Sequence, residues 1–172
     1  ITKVEAYKAF LDTKIADFQS RIEAETDERQ KEKLKLFLQN VEYFNQNDRF
    51  SIHNGMKILK MAEGYAEAEL DYSKGNQNFM GTLHGGALST LADIAAGTSI
   101  ISFGKMCVTL NANVNYVRPA RHGKIKAIAK AVHCSRQMGT SEVRIYNEDN
   151  GLVCYCSYVM FITNKDATNL RL

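Results

Sequence analysis

The chain is almost without proline. Pro119 is the only one in 172 residues, so long uninterrupted helices and strands are expected. Tryptophan is absent, and no apolar run reaches the length of a membrane-spanning helix. No cationic-then-apolar leader opens the chain, which begins Ile1-Thr2-Lys3 without a methionine; no signal peptide and a trimmed start are expected. A dominant charge is missing too. The 22 Lys+Arg face 19 Asp+Glu, and a net +3 is too little to argue for nucleic acid or a membrane surface as partner. The four cysteines, Cys107, Cys134, Cys154 and Cys156, lack CxxC spacing and lie among apolar residues. They read as reduced core residues rather than metal ligands or disulfides, and a cytoplasmic location is expected.

What is present is ordinary in amount and uneven in arrangement. With 45% hydrophobic and 24% charged residues the chain is neither disordered nor fibrous, and its length suits one domain with an appendage. In residues 1–48, Val4, Leu11, Ile15, Phe18 and Ile22 recur at the helical period, as do Leu34, Phe37, Leu38, Val41 and Phe44. Glu25-Thr26-Asp27 breaks the two runs, and Thr26 or Asp27 is placed to cap the second. This N-terminal segment is therefore expected to be a helical hairpin. Its 8 Lys+Arg against 10 Asp+Glu argue against a DNA-binding arm. Its apolar stripes require a partner surface, either the main domain or a second subunit.

The remaining chain, residues 49–172, has a different texture. Met56 to Tyr72 reads as a long strand with a break near Gly64, and Ser73 to Leu83 as a loop. His84 to Ile101 is rich in Gly and Ala and carries almost no charge, which describes a buried helix. Four further strands are expected over Met106–Val117, Lys124–Cys134, Ser141–Glu148 and Leu152–Thr163. The pattern is α+β, and its natural solution is a curved antiparallel sheet wrapped around one central helix.

Two features of that helix carry chemistry. It opens on Gly85-Gly86, and each glycine costs about 1 kcal/mol of helix stability relative to alanine. Bare backbone there either allows tight packing or exposes free amide donors, with the positive end of the helix dipole, to a carbonyl oxygen that gains charge. Spacing alone leaves both open. Asp93 is the second feature, the only charged residue between His84 and Lys105; buried among apolar neighbours it needs a partner, and it is a candidate base or nucleophile. Gly85 and Asp93 are eight residues apart, about 12 Å along a helix, so the two cannot flank one carbonyl carbon within a single chain. If both serve one substrate they come from different subunits of a homodimer.

The residues Asn78-Phe79-Met80-Gly81-Thr82-Leu83-His84-Gly85-Gly86, followed by Leu91-Ala92-Asp93, resemble the active-site stretch of hotdog-fold acyl-CoA thioesterases of the PaaI, or phenylacetic-acid-degradation, type. Thr109 to Ala120, with Gly123 after it, is similar to that family's second strand and turn, and the resemblance spans about residues 50 to 163. It implies the hotdog fold and hydrolysis of an acyl-CoA, without metal or cofactor, in a homodimer or dimer of dimers. It implies that Asn78 fixes the thioester or its water, that the Gly85 N–H polarises the thioester oxygen, and that Asp93 of the opposite subunit activates water or attacks directly. Thr109 would assist that water, and His84 would shape the loop by hydrogen bonding. Gly86 would meet the substrate, and Arg118, Arg121, Lys124 and Arg136 would bind the coenzyme A phosphates at the site mouth. Phe79, Met80, Leu88, Ile94 and Tyr116 are candidates to line the acyl pocket, while His122 and His133 read as bystanders. Two other functions are open on the same scaffold: a non-catalytic acyl-CoA sensor, and a hydroxyacyl dehydratase, whose chemistry usually pairs a catalytic histidine with a distant carboxylate, whereas the only acid on this helix fits the thioesterase position better.

Overall fold

The computed structural model describes residues 3–168 and 170, apart from the side chains of residues 3, 4, 6, 7, 10 and 11. Val4 and Leu11, expected on the first apolar stripe, fall among those side chains. Helices α1 (Lys3–Ala24) and α2 (Glu28–Asn47) form the hairpin, and Asp27 caps α2 by accepting a hydrogen bond from the Gln30 N–H at 3.0 Å. A further turn of helix, α3 (Arg49–His53), had no counterpart in the sequence reading; Asp48 caps it through the Ser51 N–H at 3.2 Å.

The long strand expected over Met56–Tyr72 is two strands, β1 (Met56–Ala62) and β2 (Tyr65–Asp71), which reverse on each other at Glu63-Gly64. Gly64 takes a positive φ of 65°, open to glycine at little cost, and so the break becomes a full hairpin. Then follow α4 (Gly85–Ile101), β3 (Lys105–Tyr116), β4 (Lys124–Cys134), β5 (Met138–Tyr146) and β6 (Leu152–Asp166). The sheet runs β1-β2-β4-β5-β6-β3 with every neighbouring pair antiparallel. Helix α4 touches all six strands, which a flat sheet of that width does not permit; the sheet curls round the helix. Ala92, Ala95 and Ala96 of α4 share the fully buried core with Ala66 and Ala68 of β2 and Ala127 and Ala129 of β4. Small residues on both sides let helix and sheet approach closely.

One irregularity bears on the site. Strand β3 pairs Thr109 with Met160 and Asn111 with Val159, so Leu110 is an extra residue, a β-bulge. Thr109 lies on the face toward α4; beyond the bulge Ala112, Val114 and Tyr116 lie on that face, and Asn111, Asn113 and Asn115 on the other.

The hairpin is packed onto this body. Phe18 of α1 and Phe37 and Val41 of α2 form a second core with Ile58 and Met61 of β1, Ile101 of α4 and Ala167, bordered by Met106 and Cys107 of β3. Both edge strands of the sheet thus contribute to the cluster that receives the helices. Cys154 and Cys156 are buried and free, and Cys107 and Cys134 are half-buried and free. Among the described residues no helix is long and apolar enough to cross a membrane.

Candidate active site

Helix α4 begins beside the last turn of β3. His84 caps it with its ring: Nδ1 accepts the Gly86 N–H at 2.9 Å, which puts the imidazole proton on Nε2. The His84 carbonyl accepts the N–H groups of Ala87 at 2.9 Å and Leu88 at 3.2 Å. Of the first donors in the helix, the Gly85 N–H alone makes no hydrogen bond among the described residues. The Tyr116 hydroxyl donates to the Gly85 carbonyl at 3.2 Å. A Cβ on Gly85 would stand 3.3 Å from Tyr116 Cζ, and one on Gly86 would stand 3.1 Å from His84 Nδ1. Both readings of the glycine pair therefore hold at once: side chains crowd it on one side, and one backbone donor stays open. The Gly86 amide is spent on His84, which leaves the Gly85 N–H as the donor open to a substrate.

The loop before the helix is held by Asn78. Its Oδ1 accepts from the Met80 N–H at 2.9 Å and the Thr82 N–H at 3.1 Å, and its Nδ2 donates to Thr82 Oγ1 at 2.8 Å. Most of the side chain's capacity is thus used inside its own loop, leaving one amide N–H for anything else. The Tyr72 hydroxyl braces the same loop at the Gly81 carbonyl, 2.6 Å away. Nothing in one chain covers its tip: Phe79 is 98% exposed and Met80 67%. Leu88 by contrast is core, and Ile94 is half-buried against the N-terminal helices.

Asp93 is not buried, which corrects the expectation of an enclosed carboxylate. Gly86, Thr90, Asp93 and Gly97 share one face of α4, and neither the sheet nor the hairpin fully covers it. The carboxylate's partner is Thr109, whose hydroxyl donates to Oδ1 at 2.6 Å. Cys107 lies close by, but burial first, then the Asp93 and Cys134 charges, push its thiol up to about 12, so it is no nucleophile at neutral pH. Burial likewise raises the Tyr158 phenol, which donates to the Ser89 carbonyl at 2.8 Å and so fixes the helix to β6.

The four basic residues do not form one group. Arg118 and Arg121 are exposed, form no ion pair among the described residues, and flank Ala120, whose carbonyl accepts the Leu83 N–H at 2.9 Å next to the helix start. Lys124 is committed elsewhere: it lies 2.7 Å from Glu69 and 3.4 Å from Asp71 of β2, with Lys57 of β1 on the same two carboxylates. Arg136 follows the far end of β4, about 30 Å along the strand from Lys124. Arg118 and Arg121 are thus joined to the helix start through the Ala120–Leu83 hydrogen bond. Tyr116 is the site residue that sequence reasoning undervalued as a pocket candidate; no pattern in the sequence announces a hydroxyl reaching 31 residues back to a glycine carbonyl.

A six-stranded antiparallel sheet rolled about one central helix is the hotdog fold. The thioesterase superfamily model matches residues 80–154. The chain is 31% identical to a variant of PaaI from Thermus thermophilus, with 65% of this chain and 96% of that one aligned and a TM-score of 0.62. A hypothetical thioesterase protein of Streptococcus pneumoniae, solved with coenzyme A, is 30% identical, over 64% of this chain and 90% of that one, with a TM-score of 0.61. The proofreading thioesterase EntH of Klebsiella pneumoniae is 29% identical, over 60% of this chain and 78% of its own length. The chain belongs to the thioesterase superfamily. It is a thioester hydrolase.

Proposed function

We propose that the chain hydrolyses an acyl-CoA to the free acid and coenzyme A, at a composite site shared by two copies. The Gly85 N–H and the positive end of α4 hold the thioester oxygen, while Asp93 of the partner subunit takes a proton from water as the water attacks the carbonyl carbon. The tetrahedral oxyanion then collapses, the C–S bond breaks, and the sulfur leaves as the coenzyme A thiolate to be protonated. Thr109 holds the Asp93 carboxylate in place, and Asn78 holds the loop that presents the helix start. Arg118 and Arg121 meet the coenzyme A phosphates.

The observation that carries this reading is the unpaired Gly85 N–H on the same helix as the Thr109-held Asp93. About 12 Å separates them along the axis, so one chain holds both halves of the site and completes neither. Support for a second copy comes from β3. It is a 12-residue edge strand whose outer side is unpaired, and it exposes Val108 at 54% and Leu110 at 58%. A cofactor-free hydrolysis needs only these groups and water. The protein solved with coenzyme A supports the choice of leaving group.

The test is release of free thiol from a panel of acyl-CoAs, aromatic to long-chain, by wild type and by Asp93→Asn. Turnover is expected on at least one substrate, with a loss of about 10²- to 10⁴-fold in the variant. Unchanged kcat in Asp93→Asn removes that residue from the mechanism. The composite site has its own test. Gly85→Pro deletes the N–H at a helix position that tolerates proline. Co-refolding it with Asp93→Asn is expected to restore roughly a quarter of wild-type activity, because half the dimers are mixed and each of those holds one intact site. No restoration places both groups within one subunit's site.

A further inference from the structure

The Gly85–Gly86 peptide is gripped from both sides. Its carbonyl accepts the Tyr116 hydroxyl at 3.2 Å, and its N–H is accepted by His84 Nδ1 at 2.9 Å. The ring of atoms closed by the second bond runs from the imidazole through the His84–Gly85 peptide to Gly86. That enclosed peptide carries the one open donor of the helix start, the Gly85 N–H. The two bonds also polarise one another across a single amide, each strengthening the other. Tyr116 adds contact as well, its ring atoms 3.3 and 3.4 Å from where a Gly85 Cβ would lie.

The geometry points to Tyr116 as a positioning residue for the oxyanion donor, acting with His84 as a clamp on the Gly85–Gly86 peptide. This rests on the hydrolytic reading of the site and adds a role for the phenol. Glycine alone leaves the first helical peptide free to rotate, and a donor that must meet a developing oxyanion gains from being fixed beforehand. The clamp supplies that rigidity with no Cβ in the way. It also makes His84 Nδ1 a hydrogen-bond acceptor, so that the ring performs the capping task of an asparagine.

Tyr116→Phe removes the hydroxyl and keeps the ring. It is expected to lower kcat about 3- to 10-fold with KM within about twofold. His84→Ala is expected to lose at least as much, and His84→Asn to recover most of that loss, since its carboxamide oxygen can accept the Gly86 N–H. In the double variant Tyr116→Phe/His84→Ala the two losses are expected to fall short of additive, because both act on one peptide. Amide hydrogen exchange at Gly86 is read in parallel and does not depend on turnover: protection in wild type, reduced protection in Tyr116→Phe, loss of protection in His84→Ala, and recovery in His84→Asn. Unchanged kcat and unchanged Gly86 exchange in Tyr116→Phe overturn the clamp, even if Asp93→Asn is inactive. An Asn variant as inactive as His84→Ala overturns the acceptor role and makes the imidazole itself a chemical participant. If wild type releases no thiol from any acyl-CoA while the exchange pattern holds, the hydrolytic reading fails and the clamp stands.

Discussion

Helix α4 has two faces that obey different rules. Leu88, Leu91, Ala92, Ala95, Ala96 and Ser99 are buried against the sheet. Even the polar member of that face is satisfied within the chain, since Ser99 Oγ donates to the Ala96 carbonyl at 2.7 Å and pairs with Ser141 Oγ at 2.8 Å. The other face, Gly86, Thr90, Asp93 and Gly97, is only partly covered in one chain, and among the described residues its carboxylate has one hydrogen-bond partner, Thr109. The first face is closed bookkeeping of hydrogen bonds and packing. The second keeps spare donors and acceptors, and spare valence is what a substrate or a second subunit needs. Stability and chemistry are thus separated by about half a turn of the same helix.

Substitutions on the two faces should therefore fail in different assays. The largest effect is expected from Asp93→Asn, which loses catalysis on the scale given above and leaves the thermal midpoint within about 2 °C of wild type. A large drop in midpoint would mean that the open face is structural after all. Next comes Leu91→Ala on the packed face, expected to cost about 2–5 kcal/mol in urea denaturation while kcat per folded molecule changes little. Smaller again is Thr109→Val, which removes the hydroxyl from Asp93 and is expected to lower kcat about tenfold, with Thr109→Ser restoring it. Equal activity in Val and Ser variants would show that Asp93 is held by something other than that hydroxyl.

The smallest effect lies off the helix. Glu42 of α2 sits in a shallow cavity with Lys14, Phe18 and Ile58, and burial raises its carboxyl above the usual carboxylate range. An acid whose folded-state pKa is raised favours the folded form while protonated and works against it once ionised. Glu42→Gln is therefore expected to raise the denaturation midpoint slightly at pH 7, and the gain should vanish below about pH 4, where the carboxyl is neutral in both states. A gain that persists in acid would assign it to packing in place of charge.

The order of the long elements was readable because most of the strands and helices announce themselves locally. The bounds of β4 agree with the expected strand, and Asp27 is one of the two caps that the break before α2 offered. The hairpin at Gly64 was harder, since two turn residues barely interrupt a run of strand formers, and α3 is too short to show a period. Among site residues, Asn78, His84 and Gly85 were legible as a contiguous motif next to a glycine-opened helix. The carboxylate partners of Lys124 were not legible, because they come from pairing with β2: Asp71 stands directly opposite it in the register, and Glu69 is 55 residues distant. Burial of Asp93 was overestimated for a related reason. A helix poor in charge looks enclosed in sequence, whereas its uncovered side depends on how far the sheet curls. Tyr116 escaped notice as a structural partner because the contact is made by topology.

The bulge at Leu110 has a consequence for how this strand can change over time. Thr109 and Tyr116 are separated by an odd count of seven, and in an unbroken strand they would look in opposite directions. The supernumerary residue corrects the parity, so that one strand serves the carboxylate with its middle and the helix start with its end. Losing or gaining a single residue between them would turn three asparagines inward and disconnect one half of the machinery from the other. Length changes here are tolerable only in pairs.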